Sequence, residues 1–153
     1  MGHWARIDDD GIVQEVIVIK KEMLDTGAWG DPSKWIKTSY NTHYGVHYVP
    51  SEGQNYSVPS EDQSKALGYR FAGKGMKYDS VNDVFYNPSP PFSSWVFDST
   101  KWEWKPPINI PADDGSGKIW VWDEKVHQAD TGDPKTKGWV DLLQITNNTP
   151  YDD

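Results

Sequence analysis

The chain has 153 residues, 36% of them hydrophobic and 14% aromatic, with 23 acidic against 15 basic side chains and a formal net charge of −8. That balance excludes the positive footprint that nucleic acids and anionic membranes require, and the absence of cysteine excludes disulfides, thiolate catalysis and cysteine-based zinc sites. Four Leu and six Ala set against twelve Val, nine Ile, nine Trp and eight Tyr predict an all-β or β-dominated protein: successive β-hairpins with extended arms and one or two short helices.

In chain order, His3 to Ile7 and Ile12 to Ile19 read as a hairpin closed by Asp8-Asp9-Asp10-Gly11, with glycine supplying the left-handed turn position. The apolar run Val16 to Ile19 predicts a strand covered on both faces and the centre of the fold. Lys20 to Leu24 offers one or two helical turns, stopped by Gly27, Gly30 and Pro32. A strand comes next at Lys34 to Tyr40, packing through Trp35, Ile36 and Tyr40. Residues 41–59 are rich in Asn, Gly, His, Tyr, Ser and Pro and read as an extended loop or arm that orders against a partner. Ser60 with Gln63 three residues on marks a capped helix start over Ser60 to Leu67, limited by Gly68, and Tyr69-Arg70-Phe71 alternates like a short strand. Together these define an N-terminal β domain at 1–75.

From residue 76 the chain repeats itself. Tyr78-Asp79 and Phe97-Asp98 are each followed by small polar residues, then alternating large side chains, then proline; Trp102 and Trp104 flank Glu103 and are expected on one face of a strand. An Asp after an aromatic residue can bond its own backbone a residue or two ahead and close a hairpin turn. A looser copy begins at Trp122-Asp123, carries a polar insertion with Thr131-Gly132-Asp133-Pro134, and returns at Trp139 to Leu143. Residues 76–146 are therefore read as a hairpin-repeat region and 147–153 as a flexible tail.

The residues with chemistry are few. His43 and His47 would share one face of a helix and could ligate a metal there, but Gly45 and β-branched neighbours oppose a helix, and no metal is expected. The Asp-rich turns at 8–10 and 113–114 lack the alternating spacing and distant Glu of a calcium loop. Asp98, Glu103, Asp123 and Glu124 beside tryptophans make up the parts of a glycosidase, yet the Asp residues stand where the turns need them, so neither an enzyme nor a cofactor is expected. Met1-Gly2-His3-Trp4 has no signal-peptide character and no apolar run approaches the ~18 residues of a membrane span. The expected place of action is the cytoplasm or an assembly formed there.

Several stretches resemble a family of small proteins encoded by tailed phages of marine cyanobacteria and other marine bacteria. These are His3-Trp4-Ala5-Arg6-Ile7-Asp8 with Val13-x-x-Val16-Ile17-Val18, then Trp35-x-x-Thr38-Ser39-Tyr40-Asn41, Asp62-Gln63-Ser64-Lys65-Ala66-Leu67 and Tyr78-Asp79. Pro88-x-Pro90-x-x-x-x-Trp95, Trp104-x-Pro106-Pro107 and Trp122-Asp123-Glu124 complete the set. The likeness covers almost the whole chain, departing at the longer polar insertion from Gln128 to Gly138. It implies a virion-associated structural protein, assembled in the host cytoplasm, and carries no catalytic residues over. The expected partners are other virion proteins, capsid or tail subunits, and further copies of the chain, because so many rings in a thin β-protein favour self-association. Tyr78, Trp95, Phe97, Trp102, Trp104, Trp120 and Trp122 are the expected partner-binding groups. The alternative function is a carbohydrate-binding receptor-recognition module of a tail fibre, with a surface polysaccharide as its partner.

Overall fold

A computed structural model describes residues 1–148, with side chains through residue 145. Of the tail expected at 147–153, residues 149–153 lie outside the described residues, and 147 and 148 end the backbone of the last helix. The fold is β-dominated, as the composition predicts: short antiparallel strands in small sheets, with three short helices among the described residues. The chain forms two compact units, one of Met1–Ser89 with Ser99–Glu103, the other of Pro90–Asp98 with Trp104 onward.

The first unit is built on a three-stranded sheet in which β1 (Gly2–Ile7) lies between β2 (Val13–Ile19) and β3 (Trp35–Thr38). The expected turn closes β1 onto β2: the Asp8 carboxylate accepts the amides of Asp10 and Ile12, each at 2.9 Å, and Gly11 takes φ +81°. The run Val16 to Ile19 is nevertheless an edge strand, with Val18 55% exposed, and the centre belongs to β1. An apolar run reports burial somewhere along a strand, not a position within the sheet.

Cross-strand partners share a face, and each face of this sheet has its own core. Ala5 pairs with Val16 and with Ile36, and Ile7 with Val13; this face packs on Ala72 and Phe85. Trp4 pairs with Ile17; its face carries Ile19 and Trp35 and is covered by Leu24 from the single-turn helix α1 (Lys21–Leu24). Trp35 also donates its indole N–H to the Trp29 carbonyl, 3.1 Å, which fastens the loop before β3.

Residues 41–59, expected as an extended loop or arm, fold back on themselves. Strands β4 (Thr42–His43) and β5 (Val46–His47) meet at a two-residue turn, Tyr44 at φ 47° and Gly45 at φ 77°, the left-handed pair a tight hairpin requires. The rings close the segment: His43 stacks on Tyr56 at 4.6 Å, Tyr48 meets Tyr56 at 5.7 Å, and Tyr48 bridges to Pro59. The helix expected at Ser60 to Leu67 does not form, because Gln63 is held elsewhere. Its carboxamide accepts the His47 amide and donates to the carbonyls of His47 and Ser60. Nor do Tyr69-Arg70-Phe71 make a strand, since Tyr69 sits at φ 67°.

The first aromatic hairpin, β6 (Lys77–Asp79) and β7 (Val84–Tyr86), docks on the β1–β2 turn through Val13 N to Met76 O, 2.8 Å, and Tyr78 N to Gly11 O, 2.8 Å. Tyr78 and Phe85, expected in a separate repeat region, thus belong to the first unit's core. Phe85 is fully buried, and a Cβ on Gly68 would stand 2.4 Å from its ring; Gly68 also takes φ +67°. Gly68→Ala adds a methyl group into an occupied core and strains the backbone together, so a loss of at least about 2 kcal/mol is expected. Urea unfolding followed by circular dichroism measures it; a variant as stable as the parent would mean that Phe85 does not seat on Gly68.

Candidate functional site

The repeated pattern in the sequence is a repeated turn in space. In the first hairpin Asp79 accepts the amides of Val81 and Asn82, both at 3.0 Å, which holds its carboxyl below the ordinary range, and the loop ends on Asp83 at φ 52°. The second hairpin pairs β8 (Val96–Asp98) with β9 (Glu103–Lys105) and ends its loop on Trp102, also at φ 52°. Both loops thus share a left-handed last position. Each hairpin also sets the ring before Asp against a ring on the return strand: Tyr78 on Phe85 at 4.7 Å, Phe97 on Trp104 at 5.1 Å. The third copy keeps that pair, with Trp122 on Trp139 at 5.3 Å across strands β10 (Trp120–Trp122) and β11 (Trp139–Asp141). There Asp123 caps a helix instead, accepting the Val126 amide at the start of α2 (Glu124–Ala129).

The seven ring positions named from the sequence divide between the two units, Tyr78 and Trp102 in the first and the other five in the second. Tyr78 lies against the first core, where burial and a 2.7 Å bond to Asp83 push its hydroxyl pKa far up. Trp102 is a turn residue and not a strand residue, so strand alternation does not place it on one face with Trp104; it packs on Tyr86 at 5.3 Å. In the second unit Trp95 meets Trp122 edge-on, and Trp122, 9% exposed, is the core itself, packed also on His127 and Trp139. Gly138 makes this possible, since a Cβ there would lie 2.3 Å from the Trp122 ring. Trp120 is half-buried, with the Lys118 ammonium 5.7 Å from its ring centre.

The carboxylates beside these rings are all engaged. Asp98 pairs with Lys105 at 2.5 Å, Glu103 accepts the Tyr44 hydroxyl at 2.5 Å, and Asp123 is the helix cap. Burial would raise the Glu124 carboxyl, but bonds from Ser94, Gln128 and the Trp122 indole outweigh it and hold the pKa down. His43 and His47 have separate partners: His43 lies on Tyr56, whereas buried His47 shares a 2.7 Å bond between Nδ1 and Ser60 Oγ. Among the described residues no group of three or more His, Asp or Glu is placed to hold a metal ion.

No family model matches the chain, and no curated protein and no solved structure does either. Function must be read from the molecule.

The feature that the tryptophans conceal in the sequence is an open face. In the β10–β11 ribbon, Trp120 and Trp122 point one way and Val121 the other, directly opposite Val140. The Trp122 side is covered by rings. Val121 and Val140, both half-buried, line a shallow groove of about 450 Å³ with Phe92, Trp122 and Ile145 and with the charged Asp123, Glu124 and Lys125. The alternation Trp-Val-Trp was the signal for it, but it draws the eye to the larger side chains.

The insertion between α2 and β11 is organised by one carboxylate. Asp130 accepts the amides of Gly132, Thr136 and Lys137 at 2.9, 2.8 and 3.0 Å, which lowers its pKa to about 2. A carboxyl depressed on folding contributes stability fully above its unfolded value and loses it as pH falls through the folded one. The Thr136 and Lys137 amide resonances are therefore expected to hold steady on acidification past the ordinary 3.8 and to move only towards a midpoint of about 2. A midpoint at the ordinary carboxyl value would show that these bonds are absent in solution.

Proposed function

We propose that this chain is a non-enzymatic structural protein of a tailed-phage virion, an accessory or decoration subunit on the capsid or tail surface, which docks on other virion subunits through its second unit. The observation that carries the reading is the β10–β11 ribbon. A two-stranded ribbon has two faces and little sheet to support it; here one face is packed with rings while the half-buried Val121 and Val140 on the other line a shallow groove with Phe92 and Ile145, beside Asp123, Glu124 and Lys125. The second unit also leaves Val96 61%, Ile110 56% and Ile119 51% exposed, while Trp122 is its one buried hydrophobic residue among those described. Apolar surface of this kind marks a place for a partner. The phage particle as the setting rests on the family resemblance of the motifs. The engaged state of Asp98, Glu103, Asp123 and Glu124 supports a structural role over hydrolysis.

The test uses particles of the encoding phage, purified and probed with antiserum to the chain. The chain is expected on the particles, and Val140→Lys alone, which avoids two like charges directly opposite on the ribbon, is expected to leave the circular dichroism spectrum unchanged. Removing an interface anchor typically costs on the order of 2 kcal/mol, roughly thirtyfold in affinity, so incorporation of the lysine variant should collapse. Absence of the chain from particles, or full incorporation of the variant, overturns the proposal. Loss of polysaccharide binding with incorporation intact would replace it with the tail-fibre module.

A further inference from the structure

Both faces of the first sheet are covered, but one of its edges is open. β2 lies outermost in the order β2–β1–β3, and only its start is closed from outside: the Val13 amide donates to the Met76 carbonyl at 2.8 Å, and the Gly75 amide donates to the Val13 carbonyl at 2.9 Å. From Glu15 to Ile19 no backbone group of another segment bonds to the outer side of the strand among the described residues. In an antiparallel pair every second residue of an outer strand turns its N–H and C=O away from the sheet. This stretch therefore presents a row of backbone donors and acceptors without a partner in the chain.

Proteins blunt such an edge with a proline, with a lysine in the middle of the strand, or by keeping the strand short. The open part of β2 has none of these. Val16-Ile17-Val18-Ile19 are β-branched in succession, the type that best suits extended pairing, and Val18 is 55% exposed. The one irregularity of the strand, the extra residue Gln14 between the partners of Arg6 and Ile7, comes before the open stretch. The opposite edge is different: β3 is shorter, carries Lys37, and is tied at its end where the Ala72 amide donates to the Thr38 hydroxyl at 2.9 Å.

The charges at the two ends of the open stretch decide which partner fits. It begins with Glu15, whose side chain stays 46% exposed while it pairs with Arg6 at 3.2 Å, and it is followed by Lys20 and Lys21. Glu15 stands on the Trp4–Ile17 face of the sheet, and α1, which opens with Lys21, covers that same face through Leu24. Two copies of β2 laid antiparallel about a twofold axis normal to the sheet keep this face in common. The acidic start of each strand then lies beside the basic end of the other, whereas parallel pairing sets like charge beside like. The occupant that the edge fits is a second copy of the chain.

We infer that the chain forms a twofold dimer through the open edge of β2, Glu15 to Ile19, joining two three-stranded sheets into one continuous sheet. Such a contact uses the same surface on both copies and closes at two. It goes beyond the docking role, lies in the other unit, and can fail or succeed without it. Sedimentation equilibrium of the full chain at micromolar concentration is expected to give a dimer. Amide hydrogen exchange followed by NMR is expected to show alternate amides between Glu15 and Ile19 gaining protection as the concentration rises. Val18→Lys, at an exposed position outside both cores, places like charges near the axis and is expected to raise the dissociation constant about tenfold or more, with the circular dichroism spectrum unchanged. A monomer throughout that range, a dimer that Val18→Lys leaves intact, or association that continues beyond two copies overturns the inference. So does protection gained only elsewhere, as at β10 and β11.

Discussion

The first unit depends on a ring that has no room for a methyl group beside it. Phe85, fully buried, is surrounded by Ala5, Ala72 and the bare backbone of Gly68. A core with only one buried leucine elsewhere in the unit must draw its burial from few, large side chains, and a large ring in a thin protein fits only where its neighbours are small. Hydrogen bonds then fasten the surrounding chain to Phe85. Its amide donates to the Gly68 carbonyl at 2.9 Å, and its carbonyl accepts from Arg70 at 2.6 Å; Arg70 also donates to the Lys101 carbonyl at 2.8 Å. One guanidinium thus joins the first aromatic hairpin to the loop at 99–103. Asp83 closes the other side, accepting from the Gly68 amide and from the Tyr78 hydroxyl.

Local chemistry was legible in the sequence, and tertiary placement was not. The Asp8 turn, the strand around Trp35, the short helix after Ile19 and the aromatic–Asp hairpins all arise from turn residues and period-two patterns acting within a few positions. The failures have physical causes that lie outside those few positions. Gln63 could have capped a helix and instead holds the β5 backbone at His47, sixteen residues back. Trp102 looked like a strand residue because it alternates with Trp104, but the turn needs a left-handed residue four places after Asp98 and takes Trp102 for it. Residues 41–59 looked extended because Asn, Gly, His, Tyr, Ser and Pro dominate them and three valines are their only aliphatic side chains. They fold through His43, Tyr48 and Tyr56 packing on one another, a contact that hydropathy undervalues.

The two units solve burial differently, and this bears on what each can do. In the first, a three-stranded sheet has both faces covered, one by Phe85 and Ala72, the other by Leu24 and Trp35. In the second, β10 and β11 form a two-stranded ribbon, and the Trp122 cluster occupies one side of it. Val121 and Val140 on the other side are only half-buried, with Phe92 and Ile145 beside them. The insertion after α2 takes its order from Asp130 and backbone amides. Packed indoles can make a rigid knot on one face of a ribbon and leave the other face to smaller side chains.

Charge follows the turns in both units. In a chain with a net charge of −8, many acidic side chains are occupied with structure: Asp8, Asp79, Asp123 and Asp130 each accept backbone amides at a turn or cap. An Asp used in this way must sit where the chain reverses, so the negative charge tracks the turns. Lysines answer some of these places: Lys34 pairs with Asp9 and Lys21 with Asp25, and Lys135 donates to the His127 and Gln128 carbonyls at the end of α2. The negative balance is therefore in part a consequence of how this chain builds its turns: each reversal that an Asp closes adds a carboxylate, and the basic side chains that could answer it are fewer, 15 against 23.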